Sequence, residues 1–149
     1  MPKMPASSSP LWKAFYGVAK VNVVVYRATG GKVGGKLGDG RLLLLHHVGR
    51  KSGVERVTPI LYVPDGDDLV IAASKGGTDR NPAWYYNLMA APTTTVEVGR
   101  EKRTVRPREA TPEERAALWP RFVAANEAFA DYEEYAGERI IPVVILEAA

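Results

Sequence analysis

The apolar positions of the chain change period several times, and each change marks an expected element. From Pro10 to about Thr29, the residues Trp12, Phe15, Tyr16, Ala19, Val23 and Tyr26 recur at three- and four-residue steps, which predicts a helix with one aromatic face. The β-branched run Val23-Val24-Val25 pulls against it. Residues 1–9 read as a loose tail, and Thr29 to Gly40, rich in glycine, as a flexible connection. Strand-length runs follow at Arg41 to Val48, Val54 to Val63 and Leu69 to Ala73, with Asp65-Gly66-Asp67-Asp68 as a hairpin turn between the last two. Asn81 as N-cap and Pro82 as first helical residue open a helix that ends before Ala91-Pro92. Thr93 to Val98 and Lys102 to Pro107 read as strands joined at Gly99-Arg100. Thr111-Pro112-Glu113-Glu114 carries a capping box, so a helix runs from there to Val123 or Ala125 and resumes from Asn126 to Tyr135. Arg139 to Leu146 is the closing strand.

Short hairpins dominate this order. The expected fold is therefore α+β: a mainly antiparallel sheet closed into a small barrel over residues 41–149, with an N-terminal amphipathic helix and peripheral helices. A length of 149 residues fits one domain, 1–149.

Two turns carry the candidate chemistry. Gly49-Arg50-Lys51-Ser52-Gly53-Val54-Glu55-Arg56 places two guanidinium groups, an ammonium and a hydroxyl around two glycines. Glycine lets the backbone turn tightly and approach a ligand closely, and these donors suit an oxyanion. The same residues also suit a charged hairpin that water solvates. A second basic, glycine-rich turn, Ala72-Ala73-Ser74-Lys75-Gly76-Gly77, follows another strand, and Trp84, Tyr85 and Asn87 lie just beyond it. Together they describe a site for something both phosphorylated and flat.

Charge sharpens this reading. Residues 1–53 hold nine Lys or Arg against a single acid, Asp39, which points to an anionic partner. No recognisable nucleic-acid motif accompanies them, so a nucleic-acid partner is not expected. Lys13, Lys20 and Arg27 form a stripe beside the aromatic face. It suits either a helix that caps the core or peripheral contact with an acidic membrane at the inner face of the cell membrane. The chain has no cysteine, no membrane-length apolar run and no signal-peptide core, and a cytoplasmic protein is expected. His46 and His47, adjacent on a strand, face opposite ways and cannot share a metal, so no metal site is expected. No nucleophile elbow surrounds Ser52 or Ser74. An enzyme built this way needs a cofactor that carries the chemistry.

The segments Gly49-Arg50-Lys51-Ser52-Gly53, Arg56-Val57-Thr58-Pro59, Ala73-Ser74-Lys75-Gly76-Gly77, Asn81-Pro82-Ala83-Trp84-Tyr85-Tyr86-Asn87-Leu88 and the ending Ile141-Pro142-Val143-Val144 resemble the deazaflavin-dependent nitroreductase family in order and spacing. The resemblance implies an FMN-binding-like split β-barrel that binds the deazaflavin coenzyme F420, with FMN as the alternative. It implies hydride transfer to an electron-poor acceptor, a quinone or other conjugated carbonyl in preference to nitroaromatics. By matching position, Arg50, Lys51, Ser52 and Arg56 would hold the phosphate. Val57, Thr58, Pro59, Ile60 and Leu61, with Ala72, Ala73, Ser74 and Lys75, would line the deazaflavin and its ribityl chain. Ala83, Trp84, Tyr85, Tyr86 and Asn87 would close the pocket. Tyr132 would polarise the acceptor, with Asn126 and Phe129 standing where some members carry tyrosines. A monomer or weak oligomer is expected, and the alternative reading is a non-catalytic module for a flavin, deazaflavin or lipid-like ligand.

Overall fold

The computed structural model of the chain describes Ala6, residues 9–37 and residues 40–149; the side chains of residues 15, 16, 19, 36 and 37 lie outside it. Most of the tail expected over 1–9, and the aromatic positions Phe15 and Tyr16, therefore fall outside the described residues. The elements run α1 (Trp12–Thr29), β1 (Lys36–Leu37), β2 (Gly40–Val48), β3 (Glu55–Asp65), β4 (Asp68–Ala72), a single 3-10 turn (Lys75–Gly77), α2 (Ala83–Met89), β5 (Thr94–Val98), β6 (Glu101–Glu109), α3 (Pro112–Ala125), α4 (Ala128–Tyr135) and β7 (Val143–Ala148).

All registered pairings are antiparallel, in the order β1-β2-β3-β4-β7-β6-β5. A further pairing of β2 with β5, through Leu44↔Glu97 and Leu45↔Val96, closes six of the strands into a barrel. The apolar run in β2 follows from this closure. Leu43 and Leu45 face the barrel interior with Ile71, Val96 and Val144, while Leu44 faces outward beneath Val23 and Tyr26 of α1. Both faces of β2 are covered, so its residues do not alternate with polar ones. A second core lies outside β3, β4 and β7, where Val63, Val70 and Ile145 meet Trp119 and Phe122 of α3 and Phe129 of α4.

Tertiary packing settles α1 as a helix despite its valines: Val23 is buried and Val24 looks outward. The helix ends at Gly30, whose left-handed backbone (φ 63°) lets its N–H reach the Tyr26 carbonyl. The Tyr26 hydroxyl accepts from Gly99 N at 2.8 Å and donates to Leu42 O at 3.1 Å, tying α1 across the β2–β5 seam. The capping box of α3 forms as expected, with Glu114 N donating to Thr111 Oγ1 at 3.2 Å and Thr111 N to Glu114 Oε1 at 2.9 Å.

Three expectations are corrected. The closing strand starts at Val143 rather than Arg139, because Pro142 has no N–H for the ladder and Arg139 is drawn away from the sheet. Helix α2 starts at Ala83, with Pro82 in extended backbone at the N-cap position. Asn81 does not cap it, since its side-chain oxygen accepts from Arg139 Nη1 at 2.6 Å instead. The glycine-rich connection contains the short strand β1, where Lys36 pairs with Arg41.

Candidate active site

The first basic turn joins β2 to β3. Gly49 N donates to Val54 O at 2.9 Å and Gly53 N to Gly49 O at 2.8 Å, closing a tight loop in which Gly53 is left-handed at φ 70°. A Cβ at Gly49 would collide with the Ser52 hydroxyl, so glycine is what lets that hydroxyl fold back over the turn. The side chains of Arg50, Lys51, Ser52 and Arg56 are exposed. Among the described residues, no carboxylate lies within ion-pair distance of the three cations. Three unneutralised cations around a glycine-lined turn fit a phosphate group.

Helix α2 stands against this turn. The Arg50 guanidinium lies 5.0 Å from the centroid of the Tyr86 ring, a cation–π contact, and Arg50 N donates to Asn87 Oδ1 at 3.1 Å. Trp84 is buried against the barrel interior, while Tyr86 is 41% exposed and packs edge-on to Tyr85 at 5.2 Å. The Tyr85 hydroxyl donates to the Glu109 carboxylate, and burial together with that carboxylate pushes its pKa up to about 12. Ala83 is exposed at the helix start.

The second turn is shaped from within by a residue far along the chain. Arg139 donates through Nε to Thr78 O (2.9 Å), through Nη1 to Ala73 O (3.1 Å) and Asn81 Oδ1 (2.6 Å), and through Nη2 to Ser74 O (2.7 Å). Gathering these acceptors bends the backbone so that Lys75, Gly76 and Gly77 take positive φ values of 45°, 64° and 74°. Lys75 is the non-glycine residue held left-handed among those described, which is a sign of a constrained loop. Its ammonium lies 4.8 Å from the centroid of the Trp12 ring, and burial lowers its pKa. Gly77 packs on the backbone of α4, where a Cβ would come within 2.8 Å of Tyr132 Cα.

The remaining expected site residues divide. Val57, Thr58 and Pro59 are half-buried on β3, and Ser74 is half-buried in the second turn. Ile60 and Ala73 belong to the barrel interior, whereas the side chains of Leu61 and Ala72 lie in the outer core beneath α3 and α4. Phe129 and Tyr132 sit in that outer core too, with ring centroids 5.3 Å apart and with Phe129 5.5 Å from Phe122. Burial raises the Tyr132 pKa. Asn126 turns its side-chain oxygen to Ala128 N at 3.0 Å, at the start of α4. Tyr132 thus adjoins the second turn through its backbone, while its ring is directed into the aromatic core.

Two polar groups in this region, His47 and Arg139, were not assigned roles from the sequence. His47 is buried and bonded to the expected site residue Asn87, and Arg139 organises the second turn. Their signal was faint: His47 lies within a strand otherwise read for its leucines, and Arg139 within an expected strand. The opposite facing of the two histidines does hold. His46 Nε2 meets Glu97 Oε2 at 2.6 Å and its Nδ1 meets Glu55 Oε1 at 2.8 Å, while His47 points toward Thr58 and Asn87.

A closed antiparallel split barrel, with a phosphate-suited turn beside an aromatic helix, defines the class of flavin- and deazaflavin-binding oxidoreductases. Residues 18–148 match the family described as F420H(2)-dependent quinone reductase, and the chain belongs to that family. It is 44% identical over 106 residues to a Mycobacterium tuberculosis protein provisionally named F420H(2)-dependent quinone reductase Rv3178, spanning 70% of this chain and 87% of that one. It is 37% identical over 132 residues to F420H(2)-dependent quinone reductase Rv1261c of the same organism, spanning 85% of this chain and 87% of the relative. Among solved structures, one titled as an F420-H2 dependent reductase (FDR-A) superposes with a TM-score of 0.65 at 36% identity, covering 71% of this chain and 93% of that one.

Proposed function

We propose that this chain reduces a quinone-like acceptor with coenzyme F420 held between the two basic turns. The observation that carries the reading is the set of exposed Arg50, Lys51 and Arg56, with no carboxylate partner among the described residues, directly beside the aromatic face of α2. Arg50, Lys51, Ser52 and Arg56 bind the phosphate and the start of the acidic tail. Thr58 and Pro59 on one side and Ser74 and Lys75 on the other flank the ring and ribityl chain, Val57 turning its side chain to α1 instead, and Tyr85 and Tyr86 cover them. The bound reduced deazaflavin supplies a hydride; the protein orients the acceptor and excludes water from it. Tyr132 backs the second turn through its main chain, with Phe129 packed against its ring, and so shapes the acceptor side of the pocket from behind.

Titration of the protein into oxidised F420, followed by fluorescence with FMN as control, tests the cofactor. Saturable change with F420 and little with FMN is expected; preference for FMN overturns the assignment. Turnover of a naphthoquinone compared with a nitroimidazole then tests the acceptor class, and faster nitroimidazole reduction would overturn the quinone preference.

A second reading concerns the outer face of α1. Val18, Val21 and Val24 are 64–69% exposed, Leu11 is exposed just before the helix, and Lys13 and Lys20 are exposed beside them. An apolar stripe flanked by lysines suits peripheral contact with an acidic membrane, where a lipid-soluble quinone would be met. No helix among the described residues is long and apolar enough to cross a membrane. Sedimentation with anionic vesicles tests the contact: Val18→Ser with Val21→Ser should abolish pelleting, and unchanged pelleting sinks the reading.

A further inference from the structure

Four polar side chains are buried among the described residues: His47, Thr78, Asn87 and Glu97. Glu97 is matched by Arg27 and His46. His47 and Asn87 are bonded to each other, at 3.0 Å between His47 Nδ1 and Asn87 Nδ2, in a chain that leads to the first basic turn.

The direction of each hydrogen bond in that chain follows from its end. Arg50 N–H can only donate, so the Asn87 atom it meets at 3.1 Å is the oxygen Oδ1. The other end of the amide is then the donor Nδ2, and His47 Nδ1 accepts from it. The remaining ring nitrogen, Nε2, carries the proton and donates to Thr58 Oγ1 at 2.8 Å. His47 is therefore neutral and in a single tautomer. Burial and the neighbouring Arg56 push its pKa down to about 4, in keeping with an acceptor at Nδ1.

The consequence lies at Arg50. An asparagine amide can rotate, and either of its ends can meet a neighbour; the His47 acceptor admits only the NH₂ end on its own side. The oxygen is thereby presented to Arg50 N–H, which fixes the backbone of the first cationic residue of the turn. The same helix holds the Arg50 guanidinium through Tyr86. Arg50 is thus held at its backbone and at its side-chain end before any anion arrives, and preorganisation of this kind raises affinity without adding a contact.

We propose that His47 is a positioning residue for the anion-binding turn, acting through Asn87, and that this pair sets the preference of the turn for a phosphorylated ligand over its phosphate-free counterpart. The inference rests on the assignment of the first turn to the coenzyme phosphate. It concerns binding of that group, and neither side chain takes part in hydride transfer.

The test measures dissociation constants, by fluorescence, of oxidised F420 and of the phosphate-free deazaflavin chromophore for the wild type and three variants. The wild type should bind F420 roughly tenfold or more tightly than the phosphate-free chromophore, as charge-assisted phosphate contacts imply. His47→Leu fills the site without an acceptor; it should lose most of that preference while its affinity for the phosphate-free chromophore stays within about twofold. His47→Asn returns an acceptor near the Nδ1 position and should restore the preference. Asn87→Ala, which removes the link from α2 and suits a helix, should reproduce the loss and serves where His47→Leu does not fold. Retention of the wild-type preference in His47→Leu or Asn87→Ala overturns the inference alone. So does an equal loss of affinity for both ligands, which would mark a merely structural role. A wild type with no preference between the ligands overturns the phosphate assignment itself, and the inference with it.

Discussion

The Glu97 carboxylate accepts two hydrogen bonds from the Arg27 guanidinium, from Nη2 at 2.7 Å and from Nε at 3.2 Å, and so fastens α1 to the barrel at the seam between β2 and β5. The Glu97 side chain is nearly buried, and the Arg27 bonds, aided by His46, hold its pKa below the usual carboxylate range. Removing the arginine leaves that carboxylate with His46 alone. Because Arg27 is itself half exposed, Arg27→Met should cost about 1–3 kcal/mol, read as a lower urea midpoint at pH 7. An unchanged midpoint would mean that α1 is held by Val23 and Tyr26 without help from this pair.

Acid should weaken the fold in two stages. The His47 pKa in the folded state, about 4, is below its ordinary 6.5, so the unfolded chain takes up the proton first as pH falls. The contribution of His47 is fully present above about pH 6.5 and is lost as pH falls toward 4. Glu97, also depressed, contributes above its ordinary 4.5 and loses that contribution as pH falls through its lower folded value. Urea midpoints at pH 7.5, 5.5 and 4.5 should fall in that order, and His47→Asn should flatten the change between 7.5 and 4.5. A wild-type midpoint that stays level over this range would contradict a buried neutral His47.

Arg139 reaches four acceptors, a set that a lysine cannot reproduce because its charge sits at one point on a flexible stem. Arg139→Lys should therefore lower stability by about 2–4 kcal/mol and weaken F420 binding through the loosened second turn. Thermal unfolding and coenzyme titration check the two effects together. Wild-type behaviour in both would show that Gly76 and Gly77 hold the turn unaided.

Two glycines with similar backbone angles should respond differently to alanine. Gly53 has φ 70° and open space where a Cβ would stand, with no atom within 4 Å, so Gly53→Ala should cost only the left-handed penalty, about 1–2 kcal/mol. Gly77 has φ 74° and the α4 backbone within 2.8 Å, so Gly77→Ala should cost clearly more and displace α4 from the turn. Equal unfolding midpoints for the two variants would contradict the close approach of Gly77 to Tyr132.

Replacement of Lys51 by alanine should weaken F420 binding by about 1.5–3 kcal/mol and leave the urea midpoint near that of the wild type, since the side chain is exposed. Unchanged affinity would remove Lys51 from the phosphate site.

What could be read from the sequence was local. The first turn was legible because its glycines and cations are contiguous, and the α3 start because Thr111 and Glu114 satisfy each other's backbone within one turn. The leucine run was legible as a strand, but its burial on both faces depends on α1, which sequence spacing does not place. Arg139 was out of reach: its acceptors lie 58 to 66 residues away, and only the folded chain brings them to one guanidinium. Asn81 was misread for the same reason. As a helix cap it satisfies a local rule, and a distant arginine outcompetes that rule. His47 illustrates a subtler limit, since its tautomer is set by an asparagine 40 positions later.

The seam between β2 and β5 is narrow, with two registered pairs, and much of what bridges it comes from α1 through Tyr26 and Arg27. In folding, the β2–β3 and β3–β4 hairpins join near neighbours, whereas the seam joins residues about fifty positions apart and closes against a larger loop entropy. The helix should therefore act as a latch, set last and released first. With it lifted, amide protons along both edges of the seam would exchange ahead of those in the remaining sheet. The opened barrel would present two unpaired strand borders, the form in which one copy can lend a strand to another.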